Sequence, residues 1–344
     1  MEGIMMRGPK QSYMAVRNPK GEIVIEEIPP KTVKFPKLRK IPLVRGIFGF
    51  IDSMSLGYKA LMRSAEISGL EDMIEENPKK KKKEVKSEIL PASEEAKASL
   101  GMNTDEKASE EPVKEEEKLP SWAMNVMMTV AMVLAVVLAL GLFFYAPSKI
   151  YSLLSEHLGL MTSEDPVLNS LWKSVFEGVF KIVLLVGYML LISLMKDIRR
   201  TFMYHGAEHK TIFCYEAGLP LTVENVRLQK RFHPRCGTSF LILMLLVSIF
   251  VSFFIDPVTV AISGDVLPPL LRTVLRLALF PLVMGIGYEL IRLAGRHDNV
   301  LTRIISFPGV LLQHVTVLEP TDDMIECAIE SVKRVIPEDG SDRI

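Results

Sequence analysis

Three of the six histidines and two of the three cysteines fall within Lys196–Gly237. His205 and His209 are four residues apart, so on a helix their imidazoles share one face. Glu208 stands beside the second of them. The resulting H-x-x-E-H pattern is the inverted zincin arrangement: two imidazoles for a divalent metal, zinc foremost, and a carboxylate for proton transfer. Glu208 is thus the candidate general base, or a further ligand. His233 and Cys236, in the turn His233-Pro-Arg-Cys236, are two more candidate ligands. H-x-x-E-H alone also suits an ordinary solvated helix face. His233 and Cys236, just ahead of an apolar run, bring the metal reading level with that alternative.

Hydropathy and chain breakers define the elements that must hold these groups. Of the 344 residues 49% are hydrophobic, and the formal charge sums to zero. A neutral chain with unevenly placed charge gives no footprint for specific nucleic-acid binding. Four apolar runs, at about 122–145, 174–195, 239–255 and 270–293, each approach the roughly 17–25 residues that cross a bilayer as a helix. The fourth is interrupted by Pro281. In it Arg272 and Arg276 are expected to snorkel to the far interface, and Glu289 to pair with Arg292. Lys and Arg concentrate between the second and third runs, which places that segment and both termini in the cytoplasm. The second span is expected to continue as helix to Ala217, with Gly218 as its stop, lifting His205 and His209 above the membrane. Thr222 should cap a short helix through Arg231. Pro234 and Gly237 then turn His233 and Cys236 back toward the same place.

Before the spans, Ser12–Arg17 and Glu22–Ile28 alternate around Asn18-Pro19-Lys20-Gly21, a β-hairpin pattern. Leu43 to about Ser68 is a long amphipathic helix. Its charges and Gly46, Gly49 and Gly57 suit an interfacial or docked helix better than a span. Residues 71–120 contain the run Lys79–Lys83 and few large apolar side chains, and read as a charged disordered linker. After the spans, His297 and Asp298 are a candidate remote ligand pair or a solvated helix end. Val300–Val315 is apolar and broken by Pro308-Gly309, so a bend is expected. A last helix, capped by Thr321, ends at Pro337.

The fold class is therefore mainly α: a polytopic helical membrane protein with about four transmembrane helices and a small cytoplasmic β-hairpin element. Its domains read as 1–70, the 71–120 linker, a transmembrane domain over 121–295 that contains the His/Cys segment 196–238, and cytoplasmic or interfacial helices over 296–344. No cleavable signal is expected, since the N-terminus lacks an apolar core. Three cysteines form no disulfide framework, and Cys214 and Cys327 read as buried thiols.

The chain resembles the bacterial YqhQ-type membrane proteins, a family of unknown function often labelled as metal-dependent enzymes. The resemblance rests on EGIMMRGP at 2–9, AVRNPKGEI at 15–23, PLVRG at 42–46 and YHGAEHK at 204–210. It continues with HPRCGTSF at 233–240, YELIR at 288–292 and EPTDDMIECAI at 319–329. It spans nearly the whole chain outside 71–120. A glycine-rich GGQAV-like stretch that precedes EGIMMRGP in the family is not in this sequence.

Two functions compete. In the first, His205, His209 and His233 or Cys236 hold zinc or a similar ion, the open position takes a water, and Glu208 moves the proton in hydrolysis of a peptide, ester or phosphoester. In the second, the cluster is a structural metal site or none, and the protein is a membrane adaptor that docks a cytoplasmic protein or the ribosome. Thiolate ligands are commoner in structural zinc sites, which favours the second. So small a bundle also suits a homo-oligomer. A transporter comes third, because the spans show few polar groups for a substrate path.

Overall fold

The structure is a computed structural model that describes residues 2–8, 11–29, 36–69, 87–90, 121–159, 165–234, 236–264, 267–297 and 299–337. Strands β1 (Gly3–Arg7), β2 (Ser12–Arg17), β3 (Ile23–Glu27) and β4 (Ser87–Leu90) form an antiparallel sheet in the order β1-β2-β3-β4. The helices are α1 (Val44–Ile67), α2 (Ser121–Leu140), α3 (Ala146–Leu158), α4 (Pro166–Ser193), α5 (Lys196–Glu216) and α6 (Val223–Arg227), then α7 (Thr238–Ser263), α8 (Pro269–Ala278), α9 (Phe280–Arg296), α10 (Val300–Thr316) and α11 (Asp322–Val335). The chain divides into two compact units. Met1–Asn103, Gly187–Met244 and Pro281–Ile344 make the first, and Thr104–Val186 with Leu245–Phe280 the second.

In the first unit the hairpin expected at Asn18–Gly21 is present. Asn18 Oδ1 accepts from the Lys20 and Glu22 backbone N–H groups, at 3.0 and 2.9 Å, and Gly21 supplies the positive φ. Ala15, Ile23 and Ile25 pack on Met324, Ile325 and Ala328 of α11 and on Tyr204 and Ala207 of α5. Met14 and Val16 pack the other way, against Ala60 of α1. Both sheet faces are covered, so β2 and β3 are buried almost throughout rather than alternating. Strand β4 lies inside the stretch expected to be a linker. The other residues of 71–120 lie outside the described ones.

Three helical stretches are long and apolar enough to cross a membrane: Thr129–Leu158, Val167–Ser193 and Thr238–Ser263. Leu270–Ala278 and Phe280–Ala294, bent by 43° at their junction, make a fourth if counted as one span. Pro281, which cannot continue the helix before it, accounts for that break. The composition is compatible with a multi-pass membrane protein. The second span does not run on into the histidine helix. α4 stops at Ser193, Met195 is extended (ψ 129°), and α5 starts afresh at Lys196.

In the second unit, Arg272 and Arg276 do not snorkel. Arg272 is paired with Asp256 and also donates to the Ser170 and Ser174 hydroxyls, each at 3.2 Å. Arg276 pairs with Glu177 at 2.7 Å. All four charged side chains are at most 9% exposed. Asp256 falls inside α7, which continues through Pro257, beyond the Ile255 limit read from hydropathy.

Candidate metal centre

α5 ends as the sequence indicates, on Gly218. The Leu219 N–H reaches the Cys214 carbonyl and the Gly218 N–H the Tyr215 carbonyl, a Schellman closure that lets the chain reverse into α6. Thr222 caps α6 through the Asn225 N–H at 3.4 Å, but that helix ends at Arg227 rather than Arg231. The residues after α6 return along α5. The segment from Thr316 to Pro320 runs along α5 too: the Leu318 N–H donates to the Phe202 carbonyl at 3.0 Å. Gly206 permits this approach, since a β-carbon there would collide with the Leu318 carbonyl. Lys210, buried, binds these pieces together by donating to the Arg227 carbonyl at 2.8 Å and pairing with Glu319.

Two backbone carbonyls then orient the imidazoles. His205 Nδ1 lies 2.9 Å from the Thr316 carbonyl oxygen, and His209 Nδ1 lies 2.5 Å from that of Arg231. A carbonyl only accepts, so each Nδ1 carries its proton and each Nε2 presents a lone pair. His205 Nε2 is 3.1 Å from Cys236 Sγ, and the two rings are 4.4 Å apart. One ligand atom from each of His205, His209 and Cys236 lies within 4.8 Å of the others. Donors around a tetrahedral zinc ion, with bonds of about 2.0–2.3 Å, are separated by roughly 3.3–3.8 Å, so small side-chain rotations would close this set. The Thr238 N–H donates to the sulfur at 3.4 Å, and the Thr238 hydroxyl oxygen lies 3.0 Å from it.

His233 stands one helical turn further along α5. Its ring packs on Phe213 at 4.6 Å and lies 5.8 Å from that of His209, while its Nε2 faces the Glu216 carboxylate at 3.5 Å. Glu216 is thus the carboxylate that the His233 ring faces. Gln313, fully buried on α10, clamps the backbone of His233. It accepts from the His233 N–H and donates to its carbonyl, both at 2.8 Å. α10 is a single helix through Pro308 and Gly309, and Gly309 lets it approach Ser239 closely. Gln313 and the two orienting carbonyls carried no motif in the sequence.

Glu208 is half-buried and is not among the converging ligand atoms. Among the described residues its carboxylate makes no hydrogen bond. Burial raises it above the usual carboxylate range, against the pull of nearby His205. His297 is exposed and Asp298 lies outside the described residues. His314 is exposed and stacks on Phe232 at 4.3 Å. Cys214 and Cys327 are free and buried, as expected, and Cys236 is the thiol that joins the histidines. His205, His209 and Cys236 thus form a cluster of two nitrogen donors and one sulfur donor that could hold a metal ion.

This site sits on a chain that belongs to the family described as protein of unknown function DUF1385, which matches residues 41–338. The uncharacterized protein YqhQ of Bacillus subtilis (strain 168) is 31% identical over 341 residues, covering 98% of this chain and 90% of that one. No solved structure matches.

Proposed function

We propose that this is a multi-pass protein of the cytoplasmic membrane with a zinc-type hydrolytic centre on its cytoplasmic side, held by His205, His209 and Cys236. The observation that carries this reading is the commitment of both Nδ1 atoms to backbone carbonyls, with His205 Nε2 3.1 Å from Cys236 Sγ and a ligand atom of His209 within 4.8 Å of both. Metal-ligating histidines are oriented in this way, by a hydrogen bond from the second ring nitrogen. An ion bound there would supply Lewis acidity to a carbonyl or phosphoryl oxygen. Three protein ligands leave one position open, the pattern of catalytic rather than structural zinc sites. Glu208, adjacent to His209 and without a hydrogen bond among the described residues, would take up and return the proton in hydrolysis of a peptide, ester or phosphoester.

One observation favours a second reading. His233 lies 5.8 Å, ring to ring, from His209. If its imidazole left Glu216 for the ion, four ligands would close the site, and the protein would be an adaptor that docks a cytoplasmic or ribosomal partner. Glu208→Gln separates the two. In the hydrolytic reading it keeps the metal and abolishes complementation of a deletion strain, whereas His233→Ala keeps the metal. Full complementation by Glu208→Gln, or loss of metal in His233→Ala, would overturn that reading.

A further inference from the structure

We infer that a basic hollow between β1, α1 and α9 is a binding site for a phosphate group, borne by a lipid headgroup or a soluble phosphate compound. The inference does not rest on the metal centre. The hollow encloses about 510 Å³ and is lined by Arg7, Arg39, Lys40, Arg45 and Arg292 against one carboxylate, Asp52. Three stretches that carry the family resemblance meet here, 2–9, 42–46 and 288–292, and none of them contributes a ligand to the metal centre.

Two of the five cations are committed. Arg39 pairs with Asp52, and Arg45 grips Glu289 through both Nε and Nη2. The partner expected for Glu289, Arg292, is instead left facing the hollow. Among the described residues Arg7, Lys40 and Arg292 have no ion pair. Arg7 and Lys40 are uncompensated, and Arg292 feels Glu289, already gripped by Arg45, only at a distance beyond an ion pair. These cations around one hollow repel one another, and a phosphate offers the charge and several acceptor oxygens that relieve this. A carboxylate offers fewer oxygens, and apolar ligands gain nothing from such a lining.

The frame is rigid. Gly46 and Gly49 bring α1 against the Tyr288 side chain, where a β-carbon on Gly49 would stand 3.1 Å from the ring. Leu43 is held at φ +68° in a tight turn, with the Val44 N–H on the Pro42 carbonyl at 2.9 Å and its own N–H toward Glu289. Such a strained backbone persists only where its surroundings over-determine it. Here the Glu289 carboxylate and the close approach of Gly285 hold it. The paired Arg39 and Arg45 are thus placed in advance of any ligand, which lowers the ordering cost of binding.

The test uses the full chain in detergent, titrated with potassium phosphate against potassium chloride at equal ionic strength. A second pair of titrations uses short-chain phosphatidylglycerol against short-chain phosphatidylcholine. The expected result is saturable binding of phosphate, phosphatidylglycerol or both, with chloride and phosphatidylcholine inert. The Lys40→Gln/Arg292→Gln variant, which spares both ion pairs, should bind about tenfold or more weakly, since a charged hydrogen bond is worth at least ~1.5 kcal/mol. Arg7→Gln, at an exposed position, gives a second variant should the double one not fold. Binding of phosphatidylglycerol alone assigns a lipid source, and equal binding of phosphate a soluble one. No saturable binding by any phosphate probe, or binding undiminished in the variants, would overturn the inference.

Discussion

At the scale of single residues, two buried groups of the first unit, Cys327 and Tyr204, hold their protons tightly. Burial pushes the Cys327 thiol up to about 12, although Arg17 pulls the other way. Burial also raises the Tyr204 hydroxyl, helped by Cys327 and by Glu2, whose carboxylate it contacts at 3.0 Å. Both groups are neutral when protonated, so the folded state keeps protons that the unfolded chain releases. For Cys327 the stabilisation is complete below the unfolded thiol value of about 8.5 and falls as pH rises toward 12, by about 1.4 kcal/mol per pH unit, and Tyr204 adds to the fall only above the unfolded phenol value of about 10. Melting temperature in detergent should therefore drop steeply between pH 8.5 and 10.5. Cys327→Ala should start lower at pH 7.5 and decline less steeply. A wild-type melting temperature that does not change over this range would contradict the assignment. Glu2 also accepts two 2.6 Å bonds from Arg200, so the start of the chain is tied to the histidine helix four residues before Tyr204.

At the scale of elements, paired charges do work that hydropathy hides. In the second unit Asp256 on α7 faces Arg272 on α8, and Glu177 on α4 faces Arg276. Removing one member of such a pair leaves the other buried and uncompensated, at a cost of about 3–5 kcal/mol. Asp256→Asn should lower the melting temperature markedly. The double variant Asp256→Asn/Arg272→Gln should recover part of the loss, because no lone charge remains. If the double variant is as unstable as the sum of the two single ones, the pair is not the stabilising unit. The same principle governs the first unit, where Glu26 of β3, almost fully buried, receives both Nε and Nη2 of Arg63 on α1. That fork fastens the amphipathic helix to the sheet, so α1 is docked along part of its length.

At the scale of the whole molecule, the legible features were those with a local signature. The hairpin follows from Asn-Pro-Lys-Gly between alternating residues, and the stop of α5 from Gly218. The shared face of His205 and His209 follows from their spacing, and the apolar runs from length alone. What escaped depends on partners distant in sequence. β4 pairs with β3 across some sixty intervening residues and has no turn signal. The break at Met195 has neither glycine nor proline to announce it. Glu289 was matched to the nearest cation, Arg292, although Arg45 holds it from 244 positions away. Arg272 and Arg276 looked like snorkelling ends because nothing in their own helix reveals Asp256 and Glu177. The candidate ligands were legible as residue types. Their convergence was not, since it depends on the carbonyls of Thr316 and Arg231, which every residue possesses. The central claim is that His205, His209 and Cys236 hold one ion together. It is tested most directly by elemental analysis of the detergent-purified protein, prepared without chelator, beside a His205→Ala/His209→Ala variant still folded by circular dichroism. About one zinc-type ion per chain in the wild type, lost in the variant, is the result expected. Metal absent from both, or retained in the variant, would contradict it.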